Sequence, residues 1–432
     1  MPTPSIRRLL ASVFALTFIA DNAFADTLED AMQSAVQSNP ALSAARARVD
    51  AVRENLPLAW AEVLPQLSVS SGVTRRWADQ SGSSPAGGLD EYWTASLNTS
   101  TLVFSSGRGG GLRREARAQI GSALASYQDA VEQTLLDVTR AYAGVSAARA
   151  IREAQLESLE NFQQQLQFVS ANIDEGFLTQ TDQALSQARL EEARAELLQA
   201  DLELVQASEA YQRLVGYLPG ELVAVEPLQA LPERVDAALD IAVERSPAIQ
   251  SSLFAVDAAD AGVDIARSTG RVRISVETSN SLYGPIGAGN EIDESTAGLR
   301  LAVPFYSGGA NSARTRQQRA IRSAAQHDLD QVRREVQERV TIAWASLNAA
   351  RATISAAEAR LEAASAAQSG MRREQQEGLR STIDVINQEE ELLDARVAFA
   401  IAGRDAIVAE RELAASIGQL AILSFTQAPV GP

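Results

Sequence analysis

Apolar and polar residues alternate along four short stretches of the chain. Leu67, Val69 and Val73 alternate with Ser68, Ser70 and Thr74, and Trp93, Ala95 and Leu97 with Thr94, Ser96 and Asn98. Val272, Ile274 and Val276 alternate with Arg273, Ser275 and Glu277, while Ala297, Leu299, Leu301, Val303 and Phe305 share one face of a fourth stretch. A period of two predicts β-strands with one face in an apolar medium and the other in water. Elsewhere the period is helical. Leu124, Tyr127, Val131, Leu135, Val138, Tyr142 and Val145 recur at spacings of three and four, and Leu156, Leu159, Phe162, Leu166, Val169 and Ile173 continue the seam. The stretch from Gly107 to Gly176 therefore predicts a helix of roughly 100 Å, and Gly308 to Gly378 its counterpart. No compact domain holds such a helix, so its narrow seam needs neighbouring helices.

The counterparts extend further. Phe104-Ser105-Ser106-Gly107 answers Phe305-Tyr306-Ser307-Gly308, Gly216 answers Gly418, and Asn39-Pro40-Ala41 echoes Ser246-Pro247-Ala248. EGFLTQTDQAL (175–185) and EGLRSTIDVIN (377–387) share the pattern E-G-x-x-[S/T]-x-x-D. These pairs predict an internal duplication of roughly 200 residues, each copy running helix, two strands, long helix, acidic turn, helix. The first repeat spans 26–216, a Pro-rich linker 217–234, the second repeat 235–418 and a tail 419–432. Ahead of them, Arg7 and Arg8 precede an apolar run from Leu9 to Ala20, and Ala23-Phe24-Ala25 supplies a small-residue cleavage pattern. That predicts a signal peptide over 1–25, cut between Ala25 and Asp26. No later stretch is apolar for long enough to predict a transmembrane helix, which leaves β-barrel strands open.

Aromatics flank the predicted strands: Trp77, Tyr92, Trp93 and Tyr283 at one end, Phe104, Phe305 and Tyr306 at the other. On the strands alone, a half-buried sheet in a soluble protein fits as well as a membrane barrel. The connections 78–91 and 284–294 are long, polar and glycine-rich, which favours loops outside a cell. Four strands cannot close a barrel, and open edges do not survive in lipid, so a membrane reading requires several chains to share one barrel. The rival reading, a soluble periplasmic coiled-coil scaffold, requires neither membrane association nor a pore.

Charge and composition narrow the chemistry. The net charge of −17 gives no support for nucleic-acid binding. Without cysteine there are no disulfides, thiolate metal sites or lipid-anchor cysteine. The glycine run 106–116 lacks a Walker lysine and predicts a strand-to-helix turn. His327, the only histidine, lies beside Asp328 in a long helix and forms no metal site of the usual kind. Glu389-Glu390-Glu391 reads as a solvated charge run. No nucleophile has a histidine base at usable spacing, so no enzyme activity and no cofactor are expected.

At each acidic turn, glycine can close a helix, and Thr179 with Asp182, or Ser381 with Asp384, fits a capping box. That is one complete account of the aspartates. The other is a ring: if several chains surround an axis here, the carboxylates repeat around a narrow mouth and favour cations. Both accounts can hold.

The duplicated plan and the G-x-x-[S/T]-x-x-D turns resemble the TolC-like outer-membrane factor (outer membrane efflux protein) family. Its most specific stretches here are Thr27-Leu28-Glu29-Asp30-Ala31 leading to Asn39-Pro40, then Leu64-Pro65-Gln66-Leu67-Ser68, and Ile383-Asp384-Val385-Ile386-Asn387 followed by Leu392 and Asp394-Ala395-Arg396. The resemblance implies a mainly α fold with a small β part. Duplicated long α-helical hairpins would form a periplasmic tunnel, and four transmembrane β-strands per chain would join a 12-stranded barrel shared by a homotrimer. The implied function is a passive export channel of the outer membrane, served by a periplasmic adaptor (membrane fusion protein) and an inner-membrane ABC or other pump. The 383–396 stretch resembles the members serving type I protein secretion, and multidrug efflux shares the architecture.

The resemblance also implies sites. Asp384 and Asp182 would line the periplasmic gate, tied between neighbouring coils by residues matching Thr181, Asp182 and Arg380. Asn387 stands where a second acidic ring is common, and Gln375 replaces an aromatic partner, so both features depart from the family pattern. The turns Gly176-Phe177-Leu178-Thr179 and Gly378-Leu379-Arg380-Ser381 would meet the adaptor.

Overall fold

The computed structural model describes residues 26–76, 90–174, 178–228, 231–286 and 291–422. The predicted signal peptide, Trp77 and most of the first strand loop, Gly176 and Phe177, residues 287–290 and the last ten residues lie outside them.

Among the described residues thirteen elements follow in order: α1 (Leu28–Ser38), α2 (Pro40–Arg53), α3 (Asn55–Ala61), β1 (Gln66–Arg76), β2 (Asp90–Phe104), α4 (Arg108–Asp174), α5 (Gln180–Val215), α6 (Val235–Arg245), α7 (Pro247–Thr269), β3 (Arg273–Pro285), β4 (Ile292–Ala302), α8 (Ala310–Gln376) and α9 (Thr382–Ser416). The two long helices, α4 and α8, each have 67 residues and so run for about 100 Å. Two shorter helices lie end to end along each. For α4 these are α2–α3 and then α5; for α8 they are α7 and then α9. The helical stretch that starts at Pro40 is broken at Glu54, where α2 gives way to α3.

Caps fix the joints. Asn39 accepts the Ala41 N–H at 2.8 Å ahead of Pro40, and Ser246 precedes Pro247 in the same way, though its side chain makes no cap bond. Gly418 closes α9 in the left-handed region (φ 68°), with Gly418 N–H donating to the Ala415 carbonyl and Gln419 N–H to that of Ala414.

The seam of α4 is only partly the one the spacing predicts. Leu135, Val138, Tyr142 and Val145 are buried, but Leu124 and Leu156 are exposed, and Ala154 and Ser158 take the inward positions near Leu156. Small residues serve there because the helices run close. At Gly121, for example, an added Cβ would stand 2.7 Å from the Phe254 ring of α7.

Two apolar clusters hold the middle of the molecule. One gathers α1, the centre of α4, the end of α5 and Leu420; the other gathers α6, the start of α7, the centre of α8 and the end of α9. The linker wraps this level by backbone bonds. Asp26 N–H donates to the Glu221 carbonyl, Tyr142 OH to the Val223 carbonyl, and Arg149 to the carbonyls of Pro219 and Gly220. Asp26 itself is buried, its carboxylate accepting Tyr211 OH at 2.5 Å and Tyr217 OH at 2.9 Å.

The four strands form one antiparallel sheet in the order β1-β2-β3-β4, so the hairpins of the two repeats join through β2 and β3. The register sorts the side chains by face. Val69 stands opposite Leu97, Val276 opposite Leu299 and Ile274 opposite Leu301, all on one face. The row Ser68, Asn98, Ser279, Thr296 and the row Ser70, Ser96, Ser281, Glu294 lie on the other. Hydroxyls and amides there bond to one another, as in Ser70–Ser96 and Ser279–Asn98. Leu67, Val69, Val73, Leu299 and Leu301 are 61–76% exposed. β4 ends at Ala302, short of Val303 and Phe305, because Pro304 has no N–H for a ladder.

Candidate functional site at the helix-hairpin tips

Each repeat closes its long hairpin with an acidic turn. In the second, Gly378 takes φ 77°, its N–H donates to the Gln375 carbonyl at 2.9 Å, and Leu379 N–H donates to that of Glu374 at 2.8 Å. This left-handed closure ends α8 within one turn, and a side chain at Gly378 would be strained by φ alone.

Three residues on, Ser381 caps α9. Asp384 N–H donates to Ser381 Oγ at 3.4 Å, while one carboxylate oxygen, Asp384 Oδ2, accepts from Ser381 N–H at 3.1 Å and Ser381 OH at 2.7 Å. The first repeat matches it: Asp182 Oδ2 accepts from Thr179 N–H at 3.0 Å and Thr179 OH at 2.7 Å. Both capping boxes are complete.

The cap uses only Oδ2. Oδ1 of Asp182 and of Asp384 has no partner among the described residues, so the capping role leaves one anionic oxygen free on each. Both carboxyls are held below the usual aspartate range by the bonds from Thr179 or Ser381, and for Asp384 by the nearby Arg380 guanidinium as well. They are therefore ionised at neutral pH.

The other predicted residues divide. Arg380 pairs within its own turn, Nε donating to Glu374 Oε2 at 2.7 Å, and makes no bond to Thr181 or Asp182 of the same chain. Thr181 and Asn387 are exposed. Gln375 is half-buried, with a buried Nε2 that finds no acceptor among the described residues. Leu379 is 69% exposed, Leu178 is half-buried, and Gly176 and Phe177 lie outside the described residues.

Above the tips, one sequence expectation is overturned. Glu389 is not solvated: it is 4% exposed, accepting Asn161 of α4 at 2.5 Å, Gln368 of α8 at 2.9 Å and Arg372 of α8 at 3.2 Å. A run of three glutamates on a helix spans more than half a turn, so one member faces inward whenever the helix packs on two sides. Its neighbours Glu390 and Glu391 do reach outward, to Arg189 at 2.7 Å and Arg360 at 2.8 Å. The Arg189–Glu390 pair and Arg396–Glu157 at 2.6 Å join the first hairpin to the second, while Arg360–Glu391 ties α8 to α9 within the second.

Apolar burial is thin in this region, confined to two small clusters around Phe162 and Leu392. Buried polar atoms without partners gather here too: Ser158 Oγ, Gln165 Nε2 and Thr382 Oγ1. The coil near the tips is a polar joint, whereas the middle of the molecule is an apolar one. Among the described residues no cluster of His, Cys, Asp and Glu is arranged to hold a metal ion, and no helix is long and apolar enough to cross a membrane.

Comparison with known proteins places this geometry. The sequence model described as outer membrane efflux protein matches residues 31–217 and again 238–419. The chain is 28% identical over 400 residues to the outer membrane efflux protein BepC of Brucella suis, covering 92% of this chain and 86% of BepC. It is 27% identical over 417 residues to the alkaline protease secretion protein AprF of Pseudomonas aeruginosa, covering 90% and 84%. Among solved structures, the CmeC outer membrane channel of Campylobacter jejuni superposes with a TM-score of 0.80 at 16% identity, covering 97% of this chain and 94% of CmeC. The outer-membrane channel OprN superposes at 0.79 and 21%, covering 91% and 90%.

Proposed function

The chain belongs to the outer membrane efflux protein family, and from that premise we propose that three copies form a passive export duct gated by the acidic tips. It is an outer-membrane protein of a family of channels, not enzymes. The observation that carries the trimer is the placement of its open edges. β1 and β4 are the sheet's outer strands. In chain order α3 leads into β1 and β4 leads into α8. Across the molecule the packing order is α2–α3, α4, α7, α8 nearer the sheet and α5, α4, α9, α8 nearer the tips. One flank therefore offers β4 and α8, and the other β1, α2–α3 and α5. A ring of copies joins unlike flanks throughout, pairing β4 with the next β1.

Ring closure also accounts for the exposed apolar residues of α5: Leu198, Leu202 and Val205 recur on one face and are 49–70% exposed. In the closed barrel the apolar sheet face meets lipid and the hydroxyl-rich face lines water.

At the tunnel's far end, Asp182 and Asp384 would recur three times, each presenting a free Oδ1 to the mouth. The glycine at 378 and the exposed Leu379 suit close contact with the tips of a periplasmic adaptor, with an inner-membrane pump supplying the energy. Removal of residues 1–25 would leave Asp26, anchored by Tyr211 and Tyr217, as the first residue. The likeness to AprF, an alkaline protease secretion protein, favours protein secretion as the duct's service; that to BepC, an efflux protein, favours efflux as the second reading.

The test begins with the protein mass of the detergent-extracted outer-membrane form, for which a trimer is expected and a monomer would refute the shared barrel. In planar bilayers Asp384→Asn should weaken cation preference, while Ser381→Ala, which removes the cap and keeps the carboxylate, should preserve it. Equal effects of the two would reduce Asp384 to a cap.

A further inference from the structure

Charge is distributed unevenly in the chain, and the unevenness repeats. Between Glu91 and Glu115 there is no acidic residue, and the only charged ones are Arg108, Arg113 and Arg114. Between Glu294 and Asp328 there is again none, against Arg300, Arg314, Arg316, Arg319 and Arg322. In a protein of net charge −17, both acid-free stretches run from the second strand of a hairpin into the long helix that descends from it. The order of residue types is the same in each: alternating strand, exposed aromatic (Phe104 at 49%; Phe305 at 100% and Tyr306 at 86%), glycine turn, arginines.

The helix ends agree. α4 and α8 have no acidic residue in the first turn to complement the helix dipole, a lack they share with α2, α3 and α7, whereas α1, α5, α6 and α9 each have one. At α8 the N-cap is Gly309, with no side-chain cap bond.

We infer that this level is a collar for anionic phospholipid headgroups of the leaflet next to the tunnel, with Arg316 and Arg319 of α8 as its free ligands. In α4 the arginines already have partners: Arg108 pairs with Glu62, Arg114 with Asp264, and Arg113 lies 4.2 Å over the Trp60 ring. Arg316 and Arg319 are exposed in the single chain and have no partner among its described residues, on the helix that the ring of copies sets beside the next α2–α3. They stand about 9 and 14 Å below the first residue of α8. A headgroup layer is about 5–7 Å thick, and an arginine stem can reach back along the helix to a phosphate. Aromatics at the interface with cations just beyond them are the layering that a bilayer edge selects. The inference rests on the outer-membrane duct with its helices on the periplasmic side.

The experiment is native mass spectrometry of the full chain in neutral detergent, with phosphatidylglycerol and phosphatidylcholine of equal chain length. The parent protein should retain phosphatidylglycerol preferentially, and Arg316→Gln/Arg319→Gln should lose that preference by about 25-fold, about fivefold per arginine near a lipid surface. Thermal unfolding of the pair variant should match the parent, since neither side chain has a partner within the chain to lose; a lowered midpoint would place the arginines in the contact between α8 and the next copy's α2–α3 and overturn the collar. Equal retention of both lipids, or retention unchanged in the variant, overturns the collar. So does displacement by inorganic phosphate as effective as that by phosphatidylglycerol, which makes the site one for free anions. Altered ion selectivity in bilayers with unchanged lipid retention turns the arginines toward the lumen and also overturns it. A parent chain that never inserts into vesicles refutes the duct itself, whereas insertion without lipid preference refutes only the collar.

Discussion

Glu132 makes the stability of this protein depend on pH in a direction opposite to that of most carboxylates. It lies on α4, 8% exposed, and holds the start of the C-terminal segment: Oε2 accepts Leu420 N–H at 3.0 Å and Oε1 accepts Ala421 N–H at 3.3 Å. Burial raises its pKa from 4.5 to about 7; the two N–H donors oppose the rise, and the nearby Asp129 charge adds to it. The folded protein therefore binds a proton more tightly than the unfolded chain. The resulting stabilisation is fully present below about pH 4.5 and is lost as pH climbs through about 7. At 1.36 kcal/mol per pKa unit, the whole change is about 3 kcal/mol.

Denaturant unfolding of the detergent-solubilised protein at a series of pH values from 4.5 to 8 measures it, with Glu132→Gln as the reference. The amide cannot ionise, so the difference between parent and variant should shift by about 3 kcal/mol across the series, in favour of the variant at high pH. Other carboxylates, such as the half-buried Glu115, titrate in both proteins and cancel. Parallel profiles would show that Glu132 is already ionised at low pH, refuting desolvation as its dominant environment.

Glu389→Ala should destabilise the hairpin region by about 3 kcal/mol, since it orphans Asn161 and Gln368 inside the coil, while the partly exposed Arg372 can turn to water. Faster amide exchange in lower α4 and α9, with the middle of the molecule unchanged, is the expected signature. Gly418→Ala should cost at least about 2 kcal/mol, because φ is 68° and the new Cβ would stand 2.8 Å from the Arg245 carbonyl oxygen; thermal unfolding would report it. Because Asp182 and Asp384 are both held below the usual aspartate range, cation preference in bilayers should persist on acidification past the point where ordinary aspartates titrate.

Much of the architecture is carried by local pattern. The helical seams, the alternating strands, the capping boxes at Thr179 and Ser381 and the glycines at 216, 378 and 418 depend on neighbours a few residues away. Backbone geometry turns such spacing directly into structure. The duplication is legible for the same reason, since each copy repeats the local plan. What the sequence alone could not supply is the identity of distant partners. Glu389 looked solvated because its ligand Asn161 stands on another helix in the other repeat, and no spacing connects them. Leu156 fits the seam by period, yet the close approach of neighbouring helices gives the inward place to Ala154 and Ser158. The pairing of β2 with β3, the seat of Asp26 beneath Tyr211 and Tyr217, and the hold of Glu132 on Leu420 all join segments far apart in the chain. Local period fixes which face of an element turns inward, but only the packed helices and sheet determine what that face meets, because burial and charge pairing depend on distance in space.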